Sequence, residues 1–168
     1  MFQVILRISI NKEMVYTDKI IEWSDELSVG IQEIDEQHKV LVNILNELNA
    51  AIKTGRSFDI RVKLLDKIIE YTKTHFIVEE SLMRILGYPK YEEHKQQHEI
   101  LMVQVLEHRV KMTSLEGSSL SSYDLLFFLR HWLSEHIMKS DKEYEPYFIQ
   151  MGVKKSWTKN SWLKKFWS

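Results

Sequence analysis

The chain has 168 residues, 44% of them hydrophobic and 28% charged, with a formal net charge of −1. That is enough for one domain around a single core, and it makes no electrostatic case for nucleic acid as a partner. Cysteine is absent, which excludes disulfides, thiolate zinc sites and iron–sulfur clusters and leaves any metal to nitrogen and oxygen donors.

The first stretch, MFQVILRISINKEMVYTDK, has no helical period and reads as an N-terminal extension over residues 1–20. Its apolar start is interrupted by Arg7 and lacks a basic leader and a small-residue cleavage site, so a signal peptide is not expected and the cytoplasm is the default location. No window of the chain approaches the ~18 uncharged apolar residues of a transmembrane segment. IIEWSDELSVG follows, an irregular lead-in whose Trp23 is expected to pack over the end of the fold.

Four helical patterns come next. The first spans about Ile34 to Ile52, with Ile34, His38, Leu41, Leu45, Leu48 and Ile52 on one face at steps of three and four. KTGRS breaks it, and Ser57 is placed to cap the second helix, which carries Leu65, Ile68, Thr72, His75, Glu79, Met83 and Leu86 on one stripe. Gly87 stops that helix and Pro89 opens the third, with Tyr91, His94, His98, Leu101, Val105 and His108 facing in. After SLEGSSLSS, Ser121 or Ser122 can cap a fourth helix led inward by Leu125 or Leu126, Leu129, Trp132 or Leu133, and His136. Short connections make successive helices antiparallel neighbours. The predicted fold is all-α, an up-down-up-down four-helix bundle over residues 21–150 with extensions at both ends.

Histidines occupy positions on these stripes where leucines would be expected. His75 with Glu79, and His94 with His98, are each four residues apart, about 6 Å on one helix face. His38 and His136 supply an inward histidine from the two remaining helices. Several buried imidazoles facing one another would repel if protonated and lose hydrogen bonds if neutral. A metal ion removes both difficulties, since neutral imidazole is the form that binds. His108 lies ten residues beyond His98, about 15 Å along the axis, and His131 about 140° round the helix from His136, so neither is expected to join the cluster. Five imidazoles and a carboxylate exceed what one zinc ion takes and suit octahedral iron, with Glu79 able to bridge two ions.

The segments EWSDELSVGIQEIDEQHKVLV, HFIVEESLM, GYPKYEEHKQQH and RHWLSEHIMKSD, taken in order, resemble a bacterial hemerythrin domain from about Ile21 to Phe148. The resemblance implies a non-heme pair of iron ions, oxo- or hydroxo-bridged, that binds dioxygen reversibly. It assigns His94, His98 and His136 to one iron, His38 and His75 to the other, and Glu79 and Asp141 as bridges. Asp141 is indicated by the resemblance alone. It lies five residues after His136, off the face of a regular helix, so the helix must distort there. Leu41, Trp132 and Leu133 are expected to wall the site, either as an oxygen pocket or simply as core.

The remainder, GVKKSWTKNSWLKKFWS, has five lysines, three tryptophans and no acid. This basic aromatic tail, residues 151–168, suits contact with an anionic membrane surface or a protein partner, or a short segment folded back on the bundle. The expected function is that of an oxygen carrier, store or delivery protein rather than an enzyme. The competing expectations are an oxygen or redox sensor acting through a partner, and a di-iron enzyme consuming peroxide or nitric oxide.

Overall fold

A computed structural model describes residues 19–114 and 119–153, the side chains of 119–121 excepted. Most of both extensions therefore lies outside the described residues. A single 3₁₀ turn, Asp25–Leu27, precedes α1 (Gln32–Lys53), α2 (Phe58–Leu86), α3 (Tyr91–Ser114) and α4 (Ser119–Glu135). A π-helical turn, His136–Asp141, then carries the chain into α5 (Lys142–Gln150). No strand occurs among the described residues. None of these helices is long and apolar enough to cross a membrane.

Helix α1 packs on α2 and α4, and α3 packs on the same two, so the four helices close a square of antiparallel neighbours. The predicted stripes face its axis. Ile34, Leu41, Leu45, Leu48 and Ile52 of α1, Leu65, Ile68 and Met83 of α2, and Leu125, Leu126, Leu129 and Leu133 of α4 are buried. Each such side chain contributes roughly 1.5–3 kcal/mol on leaving water. Helix α3 is the exception: its buried apolar residues are only Val105 and Met112, while Ile100, Val103, Leu106 and Val110 are exposed.

Helix ends follow the local chemistry. Gly87 adopts φ 68° at the end of α2, and the Tyr88 amide donates to the Met83 carbonyl at 2.8 Å, a Schellman closure that a β-carbon would strain. Ser57 is the N-cap residue of α2, although its hydroxyl makes no capping bond. At the start of α1 the Asp35 carboxylate accepts from the Val29 amide at 2.8 Å and the Ser28 hydroxyl at 2.6 Å, an acidic group placed where the helix dipole favours it. Gly30 suits that turn because its φ is +70°, a conformation in which an L side chain is strained.

Three expectations are corrected. Helix α4 begins at Ser119, upstream of the expected caps, and Ser122 is buried, accepting a bond from Arg61 Nη1 at 3.0 Å. Pro89 lies in the turn before α3, which opens at Tyr91. Trp23 does not cover the bundle end. It lies along the flank of α1, its ring 5.3 Å from Lys39 Nζ, because the Ile20 and Ile21 amides both donate to Asn46 Oδ1 and tie the lead-in alongside that helix.

Candidate metal centre

The helix distortion that Asp141 demands is present. In a regular helix Asp141 would point about 140° away from His136. Hydrogen bonding from i to i+5 widens the turn, so residues five apart share a face, and the π turn covers these two residues and the four between them. The fourth helix thus delivers a histidine and an aspartate to one spot and then resumes as α5.

His38 of α1, His75 and Glu79 of α2, His94 and His98 of α3, and His136 and Asp141 of the π turn are all buried, none more than 6% exposed. Water therefore does not compete for them. The His38 and His75 Nε2 atoms face each other at 3.1 Å, as do those of His98 and His136. Glu79 Oε2 lies 3.3 Å from His98 Nε2, 3.5 Å from His94 Nε2 and 3.9 Å from His75 Nε2. Asp141 Oδ1 lies 3.1 Å from His136 Nε2 and 3.5 Å from His94 Nε2, while Oδ2 lies 3.3 Å from His38 Nε2. The donors form two overlapping groups, Glu79, His94, His98, His136, Asp141 and His38, His75, Glu79, Asp141, with ligand atoms in each within 4.8 Å of one another.

The outer nitrogens show what the inner ones are for. His75 Nδ1 donates to Gln37 Oε1 and His98 Nδ1 donates to Glu80 Oε1, both at 2.9 Å. A neutral imidazole has one N–H, so each of these rings presents a bare lone pair on Nε2. Both lone pairs point into a dry interior, toward other imidazole nitrogens and carboxylate oxygens. Neither Asp141 oxygen finds a hydrogen-bond donor outside the imidazole cluster, nor does His38 Nδ1 find a partner. Such an arrangement is costly as bare protein and is satisfied by cations. The donor set fits metal.

Protonation agrees. Burial drives His75 down to about 4, against the pull of Glu79, so at neutral pH it is the uncharged, metal-binding form. Burial and Glu79 both push Asp141 up, yet the His136 and His38 imidazoles outweigh them and hold it at about 2. Glu79 is likewise held well below the usual carboxylate range, the neighbouring imidazoles overcoming its burial. Both carboxylates are thus anionic at neutral pH.

The surroundings contain residues that the sequence did not single out. Gln37 and Glu80 orient the His75 and His98 rings from outside. Phe76 stacks on His98, centroids 3.5 Å apart and planes within 5°. Tyr144 is fully buried and its hydroxyl donates to Glu79 Oε1. One signal could have found it: Tyr144 follows Asp141 by three residues, one helical turn on the same face. Leu41, Trp132 and Leu133 are buried core residues. Trp132 also lines, with Leu101, Phe128 and His136 itself, an open groove of about 440 Å³ between α3 and α4. His131 is exposed on that groove, and His108 is half-buried with its ring stacked on Phe128 at 4.3 Å.

Comparison with known proteins gives a consistent picture. The family model for the Hemerythrin HHE cation binding domain matches residues 29–148. The bacteriohemerythrin of Stenotrophomonas maltophilia is 34% identical over 125 residues, 74% of this chain and 79% of that protein. That of Clostridium acetobutylicum is 31% identical over 125 residues, 73% and 96% respectively. A crystal structure of wild-type hemerythrin superposes with a TM-score of 0.68 at 31% identity, covering 76% of this chain and 96% of that one. The chain belongs to the hemerythrin family, and its buried histidine–carboxylate cluster is a site able to hold metal.

Proposed function

We propose that the protein binds dioxygen reversibly at a pair of iron ions and serves as an oxygen carrier, store or delivery protein. On this reading His94, His98 and His136 would hold one ion and His38 and His75 the other, with Glu79 and Asp141 available to both. The observation that carries it is the convergence of five imidazole Nε2 atoms and two carboxylates in a dry interior, two of the rings already tautomerically committed by Gln37 and Glu80. Family membership supports iron as the metal and dioxygen as the ligand. The number of donors supports two ions rather than one.

Two iron ions, when bound, supply the electrons that dioxygen borrows and returns. The chain's own residues do the rest. Gln37 and Glu80 fix the rotation of their histidines, which keeps Nε2 aimed inward without reorganisation. Leu41, Phe76, Trp132 and Leu133 exclude water around the site, which favours return of the electrons over hydrolytic side reactions. An imidazole-rich site with only two carboxylates places little anionic charge on the ions and so supports oxygen binding over the oxidation of substrates, the basis for reading the protein as a non-enzyme.

The test is metal content with the visible spectrum, in air and after anaerobic reduction. Two irons per chain with an oxygen-dependent band that disappears on deoxygenation is the expected result. Two irons whose spectrum never returns after one oxidation would overturn reversibility. Turnover of peroxide or nitric oxide above that of free iron would replace the carrier reading with an enzymatic one.

A further inference from the structure

The two carboxylates at the centre are placed alike but treated differently. Asp141 turns Oδ1 toward His136 and His94 and Oδ2 toward His38, and neither oxygen receives a hydrogen bond from outside the imidazole cluster. Glu79 turns only Oε2 toward the imidazoles of His75, His94 and His98. Its Oε1 accepts the Tyr144 hydroxyl. That hydroxyl is fixed by the packing of its ring, which stacks on Phe148 at 4.6 Å and meets the edges of His94 at 5.7 Å and Tyr88 at 6.4 Å. The residue is fully buried, so no water can take the place of the acceptor. The π turn that brings in Asp141 also sets the register of Tyr144, one turn further on.

A carboxylate that accepts a charge-assisted O–H bond has less electron density to give a cation. Weaker donation stabilises the more highly charged metal less than the less charged one, and hydrogen bonds to metal ligands are a lever on redox potential. We propose that Tyr144 is a positioning residue that, through its hydrogen bond to Glu79, raises the reduction potential of the metal pair and so preserves the reduced, oxygen-ready state. This inference rests on the di-iron reading above. It gives the site a reason to be asymmetric: one bridging carboxylate is left at full donor strength and the other is damped.

The experiment uses the full chain loaded with iron and measures its midpoint potential spectroelectrochemically, for the wild type, for Tyr144→Phe, and for the chain carrying 3-fluorotyrosine at position 144. Phenylalanine keeps the ring and removes the donor, so the potential should fall, shifting the oxidised-to-reduced ratio at fixed potential at least tenfold, which is about 59 mV for one electron. The fluorinated ring is a stronger donor of the same shape and should move the potential up. Cobalt(II) absorption of the same proteins gives a readout independent of oxygen binding, and its bands should shift in the same order. A role in packing alone would not produce opposite shifts for two rings of equal fit. Equal potentials in all three proteins, or shifts of the same sign, would overturn the proposal. If Tyr144→Phe fails to load, the fluorinated protein decides alone: an upward shift supports the inference and an unchanged potential overturns it. A wild type that binds no iron sinks the di-iron reading itself, whereas two bound irons with unmoved potentials sink only the role of Tyr144.

Discussion

The interior of the bundle has two halves built on opposite principles. Toward the turn between α1 and α2, the axis is lined by Leu45, Leu48, Leu65, Ile68, Leu125, Leu126 and Leu129, with Asn49 and Ser122 as its polar members. Toward α5, the same four stripes carry His38, His75, Glu79, His94, His98, His136 and Asp141. The first half gains by removing apolar surface from water and needs nothing further. The second removes imidazoles and carboxylates from water and satisfies them only in part, through Tyr144, Gln37 and Glu80, so it has stability to gain from a bound cation. One fold thus holds a self-sufficient region and a dependent one on the same helices. The dry half keeps the helices in register, which holds the polar half in an arrangement able to take metal.

The sharpest way to break that comparison is to take the metal away. Chelation should leave a helical protein whose amides around residues 34–41, 75–83 and 136–144 exchange hydrogen far faster than before, while those around Leu48, Leu65 and Leu126 keep most of their protection. The whole should lose about 4 kcal/mol relative to the protein at a thousandfold excess of free metal over its dissociation constant. Equal loss of protection at both ends would mean the halves are one cooperative unit. Single substitutions should separate them further. Leu48→Ala should cost about 2–5 kcal/mol in a denaturant titration yet leave the metal content of the folded protein unchanged. His75→Ala and His136→Ala should lose metal by elemental analysis and, with it, the stability that the metal contributes.

The two halves also differ in how far they could be read from the sequence. The dry half was legible because apolar residues at steps of three and four have one interpretation, and Gly87 marks where α2 must stop. The inward histidines were legible for the same reason: they violate the stripe that surrounds them. Asp141 was not, because periodicity assumes a regular helix and nothing in HIMKSD announces a π turn; only its place in a family-like motif pointed to it. Gln37 and Glu80 each sit beside a ligand in the chain, pointing about 100° from the stripe, and read as ordinary polar surface. Their bonds to the far ring nitrogens exist only once α1 meets α2 and α2 meets α3. Trp23 was misplaced because a single asparagine, Asn46, decides where the lead-in lies.

Gln37 and Glu80 sharpen the comparison within the polar half itself. One outer acceptor is neutral and the other a carboxylate, so the three-histidine group has a more basic ring in His98 than the two-histidine group has in His75. Glu80→Gln and Gln37→Leu should each weaken metal binding about 10–100-fold, measurable by competition with a chelator of known affinity. On the proposed assignment, the ion that His94, His98 and His136 would hold should be released first in Glu80→Gln, and the other in Gln37→Leu.

The smallest effects belong to the two histidines that the cluster leaves out. His131 is exposed on the rim of the α3–α4 groove, and a surface substitution without buried partners changes stability by no more than about 0.5 kcal/mol. His131→Ala should therefore match the wild type in both melting and metal content. His108 is half-buried in the dry half, its ring flat against Phe128, and its burial lowers its pKa, so it is uncharged at neutral pH. Removing that stacked ring should cost about 0.5–1.5 kcal/mol beyond the area it covers, with the metal content unchanged. His108 thus behaves as a member of the apolar half despite its chemistry. Were His108→Ala to release iron while the helices stayed folded, the boundary between the halves would have to move more than two turns along α3, which the buried Val105 between His98 and His108 opposes.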